Sequence, residues 1–401
     1  MARVILGVGA GIAAYKACEL LRLLRESGHG VRVIPTPDAL RFVGEPTWAA
    51  LSGEPVTTDV WTGVSDVPHV KLGQSADLVV VAPATADLLA KAAMGMSNDL
   101  LTATLLTARC PVLYAPAMHT EMWEHPATQH NVTTLRDRGA VVVEPAVGRL
   151  TGKDTGKGRL PEPADLFALA ETIIGRRTGA AASLTGRRVL VSAGGTREEL
   201  DPVRFLGNWS TGRQGYAFAM SASARGADVT LIAANVELPD PAGAKVIKVV
   251  SARDMHAAML AEAPESDVIV MTAAVADFRP VVRAVQKIKK DGTLPPPIEL
   301  TENPDILADL ARRRREHGPE GQVVVGFAAE TDPDLDAARA KLARKGCDLL
   351  VLNRVGDGVG FGAGDNEWLV LGADGTVTAV PHGSKDALAD EVLTLVAARL
   401  R

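Results

Sequence analysis

Short apolar runs recur along the chain, separated by stretches in which the apolar positions fall three and four apart. In the first part the runs are Val4 to Val8, Val31 to Ile34, Leu78 to Ala82, Val112 to Ala115 and Val141 to Val143. Runs of four or five apolar residues suit strands covered on both faces, and the stretches between them suit crossover helices, so the rhythm predicts parallel βαβ units. Between Arg176 and Ser183 the chain reads Arg-Arg-Thr-Gly-Ala-Ala-Ala-Ser, with no large apolar side chain, which predicts a linker. A second series follows: Val189 to Val191, Val229 to Ala233, Val246 to Val250, Val268 to Met271, Val323 to Gly326 and Leu349 to Leu352. The fold class expected is α/β, with two open, mostly parallel sheets over residues 1–178 and 187–401.

Composition narrows the function. The 401 residues exceed the usual size of one domain, and 47% hydrophobic with 23% charged residues exclude a disordered or fibrous chain. With 48 acidic against 43 basic residues the net charge is −5, which lacks the basic surplus of a nucleic-acid binder. The three cysteines, Cys18, Cys110 and Cys347, form no C-x-x-C pair, so neither a disulfide framework nor a zinc site is expected. The apolar run behind Arg3 is too short for a signal peptide, and no run approaches 18 apolar residues, so a cytoplasmic protein away from membranes is expected.

In such sheets ligands bind beyond the carboxyl ends of the strands, so the residues after each run carry the candidate chemistry. After the first run come Gly7, Gly9 and Gly11, then Ile12-Ala-Ala-Tyr-Lys16 and a helical stretch to about Glu26. Bare backbone at a helix N-terminus holds a phosphate, although such a turn is also found for purely structural reasons. The dinucleotide fingerprint needs glycine where Ile12 stands and an acidic residue where Pro35-Thr36-Pro37 stand, so a mononucleotide such as FMN suits better than NAD. Ala82-Pro83-Ala84-Thr85 and Ala115-Pro116-Ala117-Met118-His119 put small residues and a hydroxyl where a flat ring can lie.

With these loops, His69 and Ser-Ala-Asp-Leu-Val-Val-Val-Ala-Pro-Ala-Thr-Ala-Asp at 75–87, the first half resembles phosphopantothenoylcysteine decarboxylase. The resemblance implies a flavodoxin-like or Rossmann-like three-layer flavoprotein domain with FMN contacts at Gly9, Gly11, Ile12, Thr36, Ala82, Pro83, Ala84, Thr85 and Met118. It implies oxidation of a substrate thiol to a thioaldehyde, loss of CO2, and reduction of the resulting enethiolate, with His69 as the catalytic histidine. Two features depart from the family pattern. His119 stands where the family has an asparagine that grips the substrate carboxylate, so either His119 makes that contact or the carboxylate is held differently. The flap, Leu150-Thr-Gly-Lys-Asp-Thr-Gly-Lys-Gly-Arg159, lacks the family's proton-donating cysteine, which leaves Thr151, Lys153 and Asp154 as candidates.

In the second half Ala-Gly-Gly-Thr-Arg at 193–197, Asp201-Pro-Val-Arg204, Asn208, Ser210-Thr-Gly212, Ala273-Ala-Val-Ala-Asp277-Phe, Lys287-Ile-Lys-Lys290, Asn303-Pro-Asp-Ile306 and Gly326-Phe-Ala-Ala-Glu-Thr331 resemble the bacterial, CTP-using phosphopantothenate–cysteine ligase. The resemblance implies a Rossmann-like ligase domain in which the 4'-phosphopantothenate carboxylate attacks the α-phosphate of CTP and the cysteine amine then displaces CMP. Lys287 matches the lysine that offsets charge during activation, and Asn208 the residue of the second step. The matching nucleotide site comprises Met271, Thr272, Ala273, Asp277, Lys287, Pro304, Asp305, Ile306, Leu307, Phe327, Lys341 and Lys345. Mg2+ is expected with CTP, with no ligands assigned, and the resemblance implies a homo-oligomer whose partners are small-molecule substrates. The fusion order matches bifunctional enzymes of coenzyme A biosynthesis. The competing expectation is an active ligase joined to a non-catalytic flavin-binding scaffold.

Overall fold

The computed structural model describes residues 1–59, 67–150, 154–175, 183–289, 297–330, 334–354 and 365–400. Two units divide the chain: Met1–Gly186 with the short pieces Ser223–Ala227 and Pro241–Gly243, and the remainder from Arg187. The linker expected at 176–183 lies almost wholly outside the described residues.

In the first unit the strands β1 (Arg3–Val8), β2 (Gly30–Pro35), β3 (Leu78–Ala84), β4 (Val112–Pro116) and β5 (Val141–Val142) form a parallel sheet in the order β2-β1-β3-β4-β5. The chain turns to one side of β1 and then to the other, so the strand order reverses between β1 and β3, where a crevice opens at their carboxyl ends. Alternation along β1 separates two cores. Val4, Leu6 and Val8 pack with Leu20, Leu21 and Leu24 of α1 (Ala14–Glu26), whereas Ile5 packs with Leu88 and Leu89 of α4 (Ala86–Met94) and Leu101 of α5 (Leu100–Thr107). The intervening α2 (Glu45–Ser52) and α3 (Pro68–Ser75) complete this part of the chain. Beyond β4 come α6 (Thr120–Glu124) and α7 (Pro126–Asp137). An antiparallel hairpin of β6 (Ala146–Arg149) and β7 (Thr155–Arg159) then leads into α8 (Pro163–Ile174).

The second unit has an eight-stranded sheet in the order β12-β11-β8-β13-β16-β17-β18-β19. Its strands are β8 (Arg188–Gly194), β11 (Asp228–Ala234), β12 (Ala244–Val249), β13 (Val268–Met271), β16 (Val323–Glu330), β17 (Leu349–Arg354), β18 (Asp365–Gly372) and β19 (Val377–Ser384). Six are parallel, and each coincides with an apolar run in the sequence. The last two form an antiparallel edge: β18 carries the apolar run Trp368 to Leu371, which was missed from the sequence, whereas polar residues, Pro381 and Gly383 interrupt β19. The ribbons β9 (Arg197–Glu199) with β10 (Phe205–Gly207), and β14 (Phe278–Pro280) with β15 (Leu300–Glu302), also lacked that signal. Leu190, Ile232, Ile269, Val324 and Leu350 pack against α10 (Ala252–Glu262), α11 (Ile306–His317) and α12 (Leu335–Lys345), while α9 (Arg213–Ala224) and α13 (Lys385–Arg399) complete the unit.

Candidate functional sites

At the switch point of the first sheet the expected flavin loops converge. The Gly9 N–H donates to the Pro83 carbonyl at 3.0 Å, and a Cβ at Gly9 would stand 2.6 Å from that oxygen, so only glycine lets β1 and β3 close here. Thr36 N–H donates to Val8 O at 2.9 Å, and Ala117 N–H to Ala84 O at 3.1 Å. Thr85 caps α4 by accepting from Leu88 N–H at 3.2 Å. The Thr36 hydroxyl is buried without a hydrogen-bond partner. Ile12 is exposed.

The hairpin is seated on the β4–α6 loop. Met118 N–H donates to Gly158 O at 2.9 Å, and a Cβ at Gly158 would run into the Met118 carbonyl. A Cβ at Gly156 would likewise meet Thr120 Oγ1, itself buried without a partner. The segment 154–159 is therefore an ordered hairpin arm and not a plain solvated loop. Thr151 and Lys153 lie outside the described residues, and Asp154 is exposed. His119 is exposed at the N-cap of α6, where its side chain makes no capping bond.

His69 is not on the sheet edge. It sits in the first turn of α3, and its carbonyl accepts from Thr107 Oγ1 of α5 at 2.7 Å. Its Nδ1 is buried with no hydrogen-bond partner. An imidazole nitrogen in that condition is available to a proton or a ligand.

In the second unit the carboxyl ends of β8 and β13 meet. Thr196 Oγ1, fully buried, accepts from Ala276 N–H at 2.9 Å, and Ser192 Oγ accepts from Ala273 N–H at 3.1 Å. Thr272 Oγ1 donates to Ser192 O at 2.5 Å. Asn208, exposed, donates through Nδ2 to Val275 O at 3.1 Å, which brings it beside the 271–277 loop. Gly215 lets α9 approach β8, since a Cβ there would stand 2.5 Å from Ala193 Cβ and 2.7 Å from Ser192 O. The Ser210 hydroxyl accepts from Gly212 N–H at 3.4 Å, ahead of the helix. The Gln214 amide in the first turn is buried at both polar atoms without a partner.

Asp277 is exposed, and its carbonyl accepts from Asn303 N–H at 2.8 Å, which joins it to the Pro304–Leu307 segment. Asp305 caps α11 by accepting from Ala308 N–H at 3.1 Å and pairs with Lys345 at 2.5 Å, while Ile306 and Leu307 are buried. Lys341 lies one turn before Lys345 on α12. Phe327 is half-buried, edge-on to Phe218 at 5.5 Å and to Trp368 at 5.9 Å. Lys287 is exposed on an irregular strap, and Lys290 lies outside the described residues. Asn235 was missed from the sequence. It adopts φ +52° after β11 and donates to both Gly195 O and Val250 O at 2.9 Å, and an asparagine directly after an apolar run was the available signal.

Among the described residues no cluster of three or more His, Cys, Asp or Glu could hold a metal ion, and no helix is long and apolar enough to cross a membrane. The family described as Flavoprotein matches residues 1–175, and the one described as DNA/pantothenate metabolism flavoprotein C-terminal domain matches residues 184–400. The chain is 59% identical to the coenzyme A biosynthesis bifunctional protein CoaBC of Mycobacterium bovis, covering 98% of this chain and 96% of that one. It is 44% identical to CoaBC of Bacillus subtilis over 98% of this chain and 96% of the relative. A solved C-terminal domain of a CoaBC protein is 35% identical, covering 55% of this chain and 98% of that one, with a TM-score of 0.46. With both halves matched in order over nearly the whole length, the chain belongs to the bifunctional CoaBC family of coenzyme A biosynthesis, in which a flavoprotein decarboxylase domain precedes a phosphopantothenate–cysteine ligase domain.

Proposed function

We propose that residues 187–401 ligate 4'-phosphopantothenate to cysteine at the expense of CTP, and that residues 1–178 then decarboxylate the product with FMN, in a cytoplasmic homo-oligomer. The observation that carries the reading is the cradle at the first switch point. There the Gly9 backbone lies against Pro83, and the Thr36 hydroxyl is buried without a partner. A buried orphan hydroxyl costs free energy unless a ligand satisfies it. The residues fit FMN: Gly9, Gly11 and Ile12 would hold its phosphate end, and Thr36, Ala82 to Thr85 and Met118 its remainder. FMN, when bound, supplies hydride transfer.

The chain's own residues do the rest of the decarboxylation. His69 holds or passes a proton at Nδ1, His119 meets the substrate carboxylate, and the hairpin arm seated on Met118 excludes water. Asp154 remains as a described candidate for the missing cysteine's proton.

On the ligase side, a carboxylate is a poor acyl donor until its oxygen becomes a good leaving group, so the attack on the α-phosphate makes acyl cytidylate and pyrophosphate. Lys287 offsets the repulsion as two anions meet. Asn208, oriented through its bond to Val275 O, holds the activated acyl group while the cysteine amine displaces CMP. Asp277, Pro304 to Leu307, Phe327, Lys341 and Lys345 form the nucleotide wall. No step is derived through Mg2+, because no preformed acidic cluster stands among the described residues and a magnesium ion is commonly carried by the triphosphate itself.

Mass spectrometry of the purified chain given phosphopantothenate, cysteine and either CTP or ATP tests both halves. The expected result is 4'-phosphopantetheine with CTP, and FMN as the flavin released on denaturation. Recovery of FAD alone, or equal turnover with ATP, would contradict the assignments, and accumulation of an oxidised enethiol would mean that the flap lacks a working donor.

A further inference from the structure

The motif Asp201-Pro-Val-Arg204 has no task in the reaction as derived, yet it organises one of the reacting groups. The Asp201 side chain is fully buried. Its Oδ1 accepts from Val203 N–H and Arg204 N–H, both at 2.8 Å, and its Oδ2 accepts from Ile288 N–H at 3.2 Å. Arg204 Nε faces Oδ2 at 3.6 Å, while Arg204 Nη2 donates to Ile288 O at 2.7 Å. The peptide that joins Lys287 to Ile288 therefore donates to Asp201, and the peptide that joins Ile288 to Lys289 accepts from Arg204.

These bonds matter because, among the described residues, the strap is held by polar ties and not by a packed core. Residues 281–289 form no helix or strand, and Val281, Val282 and Val285 are 52%, 78% and 87% exposed, so the segment has scant apolar burial to fix it. It has further polar ties: Val281 N–H donates to Glu299 O at 2.9 Å at its start, and next to the Asp201 turn Ala284 N–H donates to Leu200 O at 2.9 Å and Arg283 pairs with Glu199 at 2.5 Å. Burying an unpaired carboxylate is expensive, but here three amides and a guanidinium satisfy it, and they hold its pKa below the ordinary carboxylate value against the opposing effect of burial.

We propose that Asp201 is a positioning residue for ligation, a buried carboxylate that clamps the Ile288 backbone and so fixes the Lys287 ammonium where the carboxylate meets the triphosphate. The inference rests on the reading of Lys287 as the activating lysine. Asparagine at position 201 keeps the size but removes the charge and can turn a donor toward the Ile288 N–H. The strap then loosens while the sheet stays intact.

The test measures single-turnover pyrophosphate release from phosphopantothenate and CTP in the full-length chain. Asp201→Asn should slow it by roughly 10- to 100-fold, the range expected when a reacting group is held out of place. The Asp201→Asn, Lys287→Gln double variant should be no slower than Lys287→Gln alone, because groups that act as one unit are not additive. CO2 release from preformed 4'-phosphopantothenoylcysteine by the other unit should stay unchanged, and an unaltered thermal-unfolding profile reports that the ligase unit is folded. Ile288→Pro, which deletes the clamped N–H from the exposed side, should give a similar loss, and it carries the test if Asp201→Asn does not fold. A double variant slowed by the product of the two single effects, or a normal rate in Asp201→Asn or Ile288→Pro, would overturn the clamp while leaving Lys287 its role. A normal rate in Lys287→Gln alone would remove that role, and the clamp with it.

Discussion

At the scale of single residues, chemistry follows burial. Cys347 is 2% exposed, and burial pushes its thiol pKa up to about 11. Since the thiolate is the reactive form, a raised pKa leaves almost none of it near pH 8. Iodoacetamide at that pH should leave Cys347 unmodified in the native protein and label it in denaturant, as read by peptide mapping; rapid native labelling would contradict its burial. His69 presents the opposite case, a buried nitrogen with no partner. His69→Asn should abolish CO2 release and leave ligation intact, since the two activities lie on separate sheets, and a paired assay of both reactions checks it. Equal loss of both would point to a shared site.

At the scale of elements, the hairpin arm is held by charge as well as by its seat on Met118. Lys157 pairs with Glu144 Oε2 at 2.5 Å, and Arg136 with Glu144 Oε1 at 2.8 Å. Burial pushes the Glu144 pKa up, but the two cations outweigh it and hold the carboxyl below its ordinary value of 4.5. A group with a depressed folded pKa contributes stability above its unfolded pKa and loses that contribution as the pH falls toward the folded one. Hydrogen-exchange protection of the Thr155–Arg159 strand should therefore drop below about pH 4.5. Glu144→Gln should remove that dependence; an identical pH profile in the variant would show that the anchor lies elsewhere.

At the scale of the whole molecule, the two sheets carry successive reactions, and the product of one is the substrate of the other. Loss of one site need not impair the other. A mixture of the His69→Asn and Lys287→Gln proteins should then restore conversion of phosphopantothenate to 4'-phosphopantetheine, with the intermediate passing through solution. Each variant alone should stop before that product, the first after ligation and the second before it, as followed by mass spectrometry. If the mixture stays inactive, the intermediate is passed only within one assembly.

The parallel strands were legible in the sequence because a strand covered on both faces must be apolar throughout, and the glycine turns because Gly9 admits no side chain against Pro83. Asn208 and Lys287 stand out in the sequence as residue types within motifs that resemble known enzymes, and their roles are those proposed above. What the sequence withheld depended on partners far along the chain. The edge strand β19 mixes polar with apolar positions and so carries a weak pattern. Arg314 sits in the arginine run 312–315, and nothing in that run marks it apart from its neighbours, yet it is mostly buried and bonds to Asp348, Gly346 O and Gln322 O. Asp201 is visible in the sequence only as part of the Asp201-Pro-Val-Arg204 motif, with no role attached, and only the fold brings Ile288, 87 positions later, to its carboxylate. Local pattern records what each residue must avoid, water or a clash, whereas hydrogen-bond partners are set by the path of the backbone, and that path is decided in three dimensions.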